Sequence, residues 1–213
     1  MHPTLIITSC QAFAAQSIPR LLASLERCGY PAGQAIVVWD GPNANGGGLT
    51  WLHTDLRCFE MSGPMEWSKH AELPFLAIHD TCIAGPRFTE AAYAGYHQML
   101  DANADAAGNM AGFMHCCLGF FHPRFIREHH TQMAGLLHET GKKAAVDFEI
   151  TNRLAKWAGE KYLDLGWGIR DGIRHVDIYS TGTPRWERHF AGLDLYKYTL
   201  SNTIAGVSET PII

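Results

Sequence analysis

Two apolar runs decide the fold of this chain: Leu5-Ile6-Ile7-Thr8 and Ala35-Ile36-Val37-Val38-Trp39. Both are short and rich in β-branched residues, which is typical of strands buried on both faces of a parallel sheet. Between them, Ser17 is a suitable helix N-cap, and apolar residues recur at helical spacing up to Leu25. The sequence therefore predicts a right-handed βαβ unit with its helix over Ser17–Cys28.

The rest of the chain continues the alternation of strands and helices. A third buried strand is predicted over Leu73–Ile78, beside the first two. Helices are predicted after Gly85-Pro86 (with Phe88, Ala92, Tyr96 and Leu100 on one face), from Pro123 to about His138, and over Phe148–Ala158. Further segments are predicted as short strands at Arg57–Glu60 and Val176–Tyr179, as a loop at Pro42–Gly48, and as a polar turn at Asp101–Gly108.

These elements predict an α/β fold in which a mostly parallel sheet is flanked by helices. We expect one domain over residues 1–213, with its core in about residues 4–180 and a C-terminal wrap over residues 181–213. The formal net charge is -4 and no basic block occurs, so nucleic-acid binding is not expected.

The cysteine pattern and the lack of a membrane-length apolar run indicate the cellular compartment. The six cysteines form no CxxC pair and no disulfide-scaffold spacing, so reduced thiols are expected. The N-terminus lacks the basic region of a signal peptide, and no apolar run approaches the roughly 20 residues of a membrane span. We therefore expect a cytoplasmic protein.

Polar residues end each of the three predicted parallel strands: Thr8-Ser9, Asp40-Gly41 and His79-Asp80. Ligands of open parallel sheets bind beyond the carboxyl ends of the strands, so we expect these residues to line one crevice. The Asp40 carboxylate is suited to hydrogen bonds from a base or a ribose, although Asp40-Gly41-Pro42 is also strong turn chemistry. Asp80, with His79, is suited to Mg²⁺ or Mn²⁺, or else caps the following turn.

Two further segments offer candidate groups. Asp147 and Glu149 lie where a predicted helix begins, which suits either a general base or a charge placed to interact with the helix dipole. His189 is a candidate metal ligand or a histidine on a charged surface. His115-Cys116-Cys117 matches no common structural zinc spacing, and adjacent cysteines are more often small buried hydrophobes.

Taken in order, these pieces resemble the GT-A glycosyltransferases, of the family 2 type that uses nucleotide sugars. The segment Val37–Pro42 resembles the family's "VVDDGS" element, and Phe75–Cys82 resembles the strand that carries its metal-binding "DxD" element. The segment Val146–Leu154 resembles its "ED…R" element, with Asp147 on the catalytic-base position and Arg153 on the helix arginine. The resemblance covers about residues 4–160.

The resemblance implies transfer of a sugar from a nucleoside diphosphate sugar to an acceptor. One base on the acceptor side implies a single displacement with inversion, and a retaining arrangement stays open. Thr8, Ser9, Asp40 and Gly41 would contact the nucleotide, and Asp80, His79 and His189 would hold Mn²⁺ or Mg²⁺. Asp147, or Glu149 in its place, would be the base. The chain departs from the family pattern at Cys82, where the second acid is absent, and at Val146, where the family usually has Glu.

Two alternatives remain open at the level of sequence. The incomplete acidic element also suits a homologue that binds a nucleotide sugar without catalysis. A nucleotidyltransferase of related architecture would normally carry Gly and Lys or Arg directly after its first strand, and Ser9–Phe13 contains none of these residues.

Overall fold

The computed structural model describes residues 2–42, 44–46, 48–56, 59–108, 118–140, 150, 153–167 and 186–198. Its strands are β1 (Thr4–Thr8), β2 (Ile36–Trp39), β3 (Ala44–Gly46), β4 (Leu49–His53), β5 (Phe75–His79), β6 (Cys82–Ala84), β7 (Ala106–Gly108), β8 (Leu118–Phe121), β9 (Tyr162–Asp164), β10 (Trp186–Phe190) and β11 (Leu195–Tyr198). Its helices are α1 (Ala14–Arg27), α2 (Ser62–Trp67), α3 (Phe88–Asp101) and α4 (Pro123–Thr140), and residues 153–158 are also helical.

The predicted α/β fold is confirmed. An eight-stranded sheet has the order β3-β4-β2-β1-β5-β8-β7-β9. Strand β1 lies between β2 and β5 and is parallel to both, with Ile7 opposite Val37 on one side and Ile78 on the other. Strands β4 and β2 are also parallel, whereas β8 pairs antiparallel with β5 and with β7.

Helices cover the sheet on both faces. Leu5 and Ile7 of β1 pack in one cluster with residues of α1 and α3, such as Leu21 and Phe88. Ile6 packs in a second cluster with residues of α2 and α4. Because successive side chains of a strand point to opposite faces, the continuous apolar run of β1 serves both clusters. Among the described residues, no helix is both long and apolar enough to cross a membrane.

The chain changes direction across the sheet beside β1. After β1 it forms β2 and β4 on one side, and it then returns to form β5 on the other side of β1. Such a reversal opens a crevice beyond the carboxyl ends of the two strands between which it occurs. We therefore expect a crevice flanked by Thr8 and His79, the last residues of β1 and β5.

Helix α1 begins earlier than predicted. It starts at Ala14 with Phe13 at the N-cap, so the prediction that Ser17 caps this helix is wrong. Ser17 is buried inside the helix, where its hydroxyl oxygen lies 3.0 Å from the Phe13 carbonyl oxygen. The first turn thus precedes the apolar pattern from which its start was predicted.

Several local predictions need correction. Leu100 is 41% exposed, and its neighbour Met99 occupies the core position on α3. Leu73 is 59% exposed and precedes β5, which begins at Phe75. Strand β7 occupies the end of the predicted polar turn, strand β3 lies within the predicted loop, and a 3₁₀ turn at Phe59–Met61 replaces the end of the predicted short strand. The predicted strand Val176–Tyr179 lies outside the described residues.

A second sheet of three strands has the order β10-β11-β6 and is antiparallel. Residues 186–198 of the predicted C-terminal wrap supply two of its strands. The pairing sets Lys197 opposite Cys82, two residues after Asp80. The small sheet therefore brings residues from near the C-terminus to the end of β5. The proposed extent of the domain and its wrap stays a prediction.

Candidate functional site

The predicted strand-end residues meet at the carboxyl edge of the sheet. The ladder continues past the strands, because the Ser9 amide donates to the Val38 carbonyl oxygen at 2.9 Å. On the other side, the Asp80 amide donates to the Thr8 carbonyl oxygen at 3.0 Å. Ser9 and Asp80 thus lie side by side where the chain reverses its direction across the sheet.

The carboxylate of Asp80 is buried and highly engaged. It is 1% exposed, and its Oδ2 accepts hydrogen bonds from the hydroxyls of Ser9 at 2.6 Å and Ser17 at 2.5 Å. Its Oδ1 lies 2.8 Å from Nδ1 of His79. Oδ2 is therefore engaged by two hydroxyls, whereas Oδ1 is buried beside His79 and accepts no hydrogen bond of good geometry from the described residues.

Electrostatics keep Asp80 ionised despite this burial. Burial alone would raise the pKa of the carboxyl, but the charge of His79 and the hydrogen bonds from His79, Ser17 and Ser9 outweigh it and lower the pKa to about 2. The carboxylate also lies beside the first turn of α1, where the helix dipole favours a negative charge. The site thus holds a fixed anion at neutral pH.

Asp40 lies at the end of β2 and is exposed. Its Oδ1 accepts a hydrogen bond of 2.5 Å from the amide of Gln11, so it anchors the segment between β1 and α1. The following turn is shaped by Trp39, whose Nε1 donates to the Pro42 carbonyl oxygen at 3.0 Å. A Cβ at Gly41 would collide with the Trp39 ring, so this position needs glycine.

His53, at the end of β4, joins the edge beside Asp40. Its Nδ1 lies 2.7 Å from the Gly41 carbonyl oxygen and its Nε2 lies 3.0 Å from Asp55. The hydrogen bond to Gly41 and the hydrogen bond to Asp55 raise the pKa of His53. When protonated, the ring can donate to both partners and so joins β4 to the turn after β2.

Both predicted carboxylates affect the thiol of Cys10. It is half-buried, and burial raises the pKa of its thiol, followed by the negative charges of Asp80 and Asp40. Both carboxylates are therefore near enough to this thiol for their charges to act on it. The thiol is held in its neutral form near pH 7.

Thr8 is oriented toward the interior. Its hydroxyl donates to the Glu60 carbonyl oxygen at 3.0 Å, and a Cβ at Gly63 would collide with that hydroxyl. Of the residues predicted to contact a nucleotide, Thr8 thus fixes α2 against β1. Ser9, Asp40 and Gly41 lie at the edge itself.

Lys197 lies close to the end of β5, although no pattern in the sequence indicated it. This lysine of β11 is 8% exposed, and its Nζ donates to Oγ1 of Thr81 at 3.2 Å. Oγ1 of Thr81 also lies 2.8 Å from Nδ1 of His79. The signal was weak, because Leu195-Tyr196-Lys197-Tyr198 is a strand-like run whose neighbour, β6, is more than 100 residues away.

His189 lies in the small sheet. Its Nε2 is 3.3 Å from Oδ1 of Asp194, and its ring stacks on Tyr196 with centroids 4.0 Å apart. The other carboxylate oxygen of Asp194 accepts a hydrogen bond from the amide of Arg87. His189 is therefore paired at the far end of β6, beyond Gly85, rather than with Asp80.

The described residues offer a divalent metal at most one oxygen of Asp80. Mg²⁺ and Mn²⁺ need oxygen ligands that are free to face the ion. Oδ2 of Asp80 accepts from Ser9 and Ser17, whereas Oδ1 has no hydrogen-bond partner among the described residues and is the oxygen that meets this condition. No group of three His, Cys, Asp or Glu side chains in the described ranges is placed to hold an ion. The metal prediction stays a prediction, as do the roles of Asp147 and Glu149, which lie outside the described residues.

A solved structure shares this architecture. The chain is similar to the crystal structure of the glycosyltransferase GlyE in Streptococcus pneumoniae TIGR4, with a TM-score of 0.52 and 12% sequence identity. The likeness is one of fold. It covers 78% of this chain and 45% of that one, so this chain spans less than half of that protein's length. No protein-family model matches the sequence, and no curated protein matches it either.

Proposed function

We propose that this chain binds a nucleoside diphosphate sugar at the carboxyl edge of β1, β2 and β5 and transfers the sugar to an acceptor. The observation that carries the proposal is the contact between Ser9 and Asp80 at the reversal of the sheet, where open α/β sheets bind ligands. The fold similarity to a glycosyltransferase and the order of the sequence elements support the same conclusion.

The proposal assigns the nucleoside to the side of the edge that Asp40 forms. Asp40 is exposed and uses Oδ1 to hold the Gln11 amide, so the same carboxylate is suited to a ribose hydroxyl or a base N–H. Ser9 and the segment up to α1 lie beside it, close to the start of that helix. Backbone amides near a helix start favour phosphate groups. The diphosphate would then lie toward the end of β5.

The transfer step follows from the resemblance. Asp147, or Glu149, would accept the proton of the acceptor hydroxyl as its oxygen attacks the anomeric carbon. The bond from that carbon to the diphosphate oxygen breaks, and the bonding electrons leave with the diphosphate. One displacement inverts the configuration at the anomeric carbon. No step is assigned to a divalent metal, and binding of Mn²⁺ or Mg²⁺ at Asp80 stays a prediction.

A nucleotide-sugar-binding protein without transferase activity is the second candidate. The observation that favours it is the burial of both groups of the acidic element, since Asp80 is engaged by two serines and Cys82 is buried in the position of the second acid. Such a protein would bind the donor equally well and release no sugar.

The proposal is tested in two stages. Thermal unfolding is first measured with UDP, GDP, ADP and CDP, each with and without Mn²⁺, with the matching nucleosides as controls. A ligand at 100 times its Kd stabilises a protein by about 2.7 kcal/mol, so selective binding is readily visible. Release of sugar from the matching nucleotide sugar then separates an enzyme from a binder. Absence of a shift with every nucleotide would overturn the proposed function.

A further inference from the structure

We propose that His53, in its protonated form, positions the turn after β2 for the nucleoside of the donor, so that the chain binds a nucleotide more weakly once this ring loses its proton. This inference rests on the proposed function and deepens it, because it names a residue that regulates the nucleoside side of the same site. In this role His53 contacts the turn rather than the ligand, so it is a positioning residue.

Strand pairing places His53 beside this turn. Strands β2 and β4 are parallel, and His53 lies opposite Trp39, the last residue of β2. The Thr54 amide continues the ladder by donating to the Trp39 carbonyl oxygen at 2.9 Å. The ring of His53 therefore reaches the turn that begins with Asp40 and Gly41 from the β4 side of the edge.

Both ring nitrogens of His53 face oxygen atoms that can only accept hydrogen bonds. Nδ1 lies 2.7 Å from the Gly41 carbonyl oxygen, and Nε2 lies 3.0 Å from Oδ1 of Asp55. A carbonyl and an ionised carboxylate carry no proton to donate, and a neutral imidazole has only one N–H. The two contacts are therefore both hydrogen bonds only when the ring is protonated. Loss of the proton removes one bond and sets a nitrogen lone pair against an oxygen.

The contact at Nδ1 affects ligand binding through the residue before Gly41. Asp40 is the carboxylate that the proposed function assigns to the nucleoside, and its Oδ1 accepts from the Gln11 amide. The turn is thus held on the β1 side by Gln11 and on the β4 side by His53. A group that is fixed in advance loses less freedom when it binds a ligand, so weakening one of these attachments lowers affinity.

The charges that act on the ring favour its protonated form. Asp55 lies just after β4 and is 98% exposed, and the charge of Glu66 from α2 also acts on His53. Glu66 is itself paired with Lys69 at 2.8 Å, so Asp55 is the main anionic partner. The hydrogen bonds to Gly41 and Asp55 raise the pKa of His53, so the protonated ring persists above pH 6.5 and is lost at higher pH.

The test measures binding of UDP, GDP, ADP and CDP by calorimetry between pH 5.5 and pH 9, for wild type and His53→Gln. The glutamine amide can donate to the Gly41 carbonyl oxygen at every pH, so the variant keeps a donor that does not titrate. We expect the ratio of wild-type to variant affinity to fall by roughly 3- to 10-fold over this range, the usual effect of one hydrogen bond. The ratio cancels the titration of the ligand and of the Cys10 thiol, which both measurements share.

Inorganic pyrophosphate and two further variants are the controls. Pyrophosphate lacks the nucleoside, so its affinity ratio is expected to stay constant over the same range. His70→Gln removes a histidine that is 51% exposed just after α2, and it is expected to keep the pH dependence of the wild type. Asp55→Asn is expected to move the fall in affinity to lower pH and to keep the wild-type affinity at pH 5.5, where the ring is protonated in both proteins.

Each outcome decides the inference. A constant ratio of wild-type to His53→Gln affinity would overturn it, since protonation would then act on stability alone. An equal fall for pyrophosphate would overturn it too, because the charged ring would then act by attracting phosphate. If His53→Gln fails to fold, the fall in affinity must follow the NMR titration midpoint of His53 in both the wild type and Asp55→Asn. A wild-type protein that binds no nucleotide at any pH would overturn the proposed function itself, which is a distinguishable result.

Discussion

The hydroxyl of Ser17 donates to Oδ2 of Asp80 over 2.5 Å, joining α1 to the end of β5 across 63 residues of sequence. Ser9 donates to the same oxygen over 2.6 Å from the end of β1. One buried carboxylate therefore fixes a helix and two strands at the edge where a ligand is expected. Its ionisation is a condition for this arrangement, because a protonated carboxyl would offer poorer acceptors to the two hydroxyls.

Removal of the Ser17 hydroxyl tests the role of the ionised Asp80, because it should change how the free energy of unfolding depends on pH. The folded pKa of Asp80 is about 2, below the 3.8 that is usual for an aspartate, so its contribution of about 2 kcal/mol is present above pH 4 and is lost as the pH falls toward 2. Ser17→Ala raises the folded pKa, which moves this loss to higher pH. We expect a cost of about 1.5–3 kcal/mol at pH 7 in urea unfolding.

The matched control is Ser24→Ala on the same helix. Ser24 is equally buried, but its hydroxyl contacts only backbone, donating to Leu21 and accepting from the Ala84 amide. Loss of the Ser24 hydroxyl should lower the free energy of unfolding by a similar amount at every pH. A Ser17→Ala curve that runs parallel to the wild-type curve from pH 2.5 to 7 would contradict the role assigned to Asp80.

The contrast between β1 and Ser17 shows what the sequence could predict. The apolar run of β1 identifies a strand buried on two faces, because such a strand has apolar residues at consecutive positions. The role of Ser17 depends on a carboxylate 63 positions away, and no local pattern contains such a contact. Lys197 was missed for the same reason, since its proximity to Thr81 arises only from the pairing of β11 with β6.

Short strands made of small residues could not be predicted from the sequence, for a different reason. Strand β7 consists of Ala106-Ala107-Gly108, which are buried but have no strong preference for a strand. Its identity is set by β8 on one side and β9 on the other. By contrast, the position of Asp40 at the edge of the sheet followed directly from the end of the apolar run of β2. The position of the candidate site was therefore predicted more completely than the contacts within it.

His53 should titrate above the usual range for histidine. The hydrogen bond to the Gly41 carbonyl oxygen, followed by the hydrogen bond to Asp55, favours the protonated ring and raises its pKa. Its stabilising contribution is therefore present below pH 6.5 and is lost as the pH rises through the higher folded pKa. We expect an NMR titration midpoint above 6.5 that falls in Asp55→Asn. A midpoint at or below 6.5 in the wild type would show that these contacts are absent in solution.

Asp147 and Glu149 should separate binding from catalysis if the chain is a transferase. The proposed base contacts the acceptor, so Asp147→Asn should keep donor affinity and lower turnover by about 10²–10⁴-fold. Glu149→Gln is the paired variant, and a loss confined to that variant would move the base by two positions. Full activity of both variants in a sugar-transfer assay would show that neither carboxylate is the base.

Two substitutions of Asp40 separate its proposed contact with a nucleotide from its structural contact with the Gln11 amide. Its Oδ1 holds the Gln11 amide over 2.5 Å, so Asp40→Ala removes both the charge and an anchor of the segment before α1. Asp40→Asn keeps an oxygen in the same place and removes only the charge and one acceptor. If the carboxylate contacts the ribose or the base, both variants should bind the nucleoside diphosphate about tenfold more weakly, as expected for one lost hydrogen bond to a charged group.

Asp55→Asn is the matched control for charge, because Asp55 is 98% exposed and lies at the same edge beyond His53. Removing its charge should leave nucleotide affinity close to that of the wild type. Thermal unfolding of the three variants without ligand shows how much of any loss is due to the anchor. Wild-type affinity in Asp40→Asn with weaker binding in Asp40→Ala would assign Asp40 to the anchor alone, since the asparagine retains that one contact.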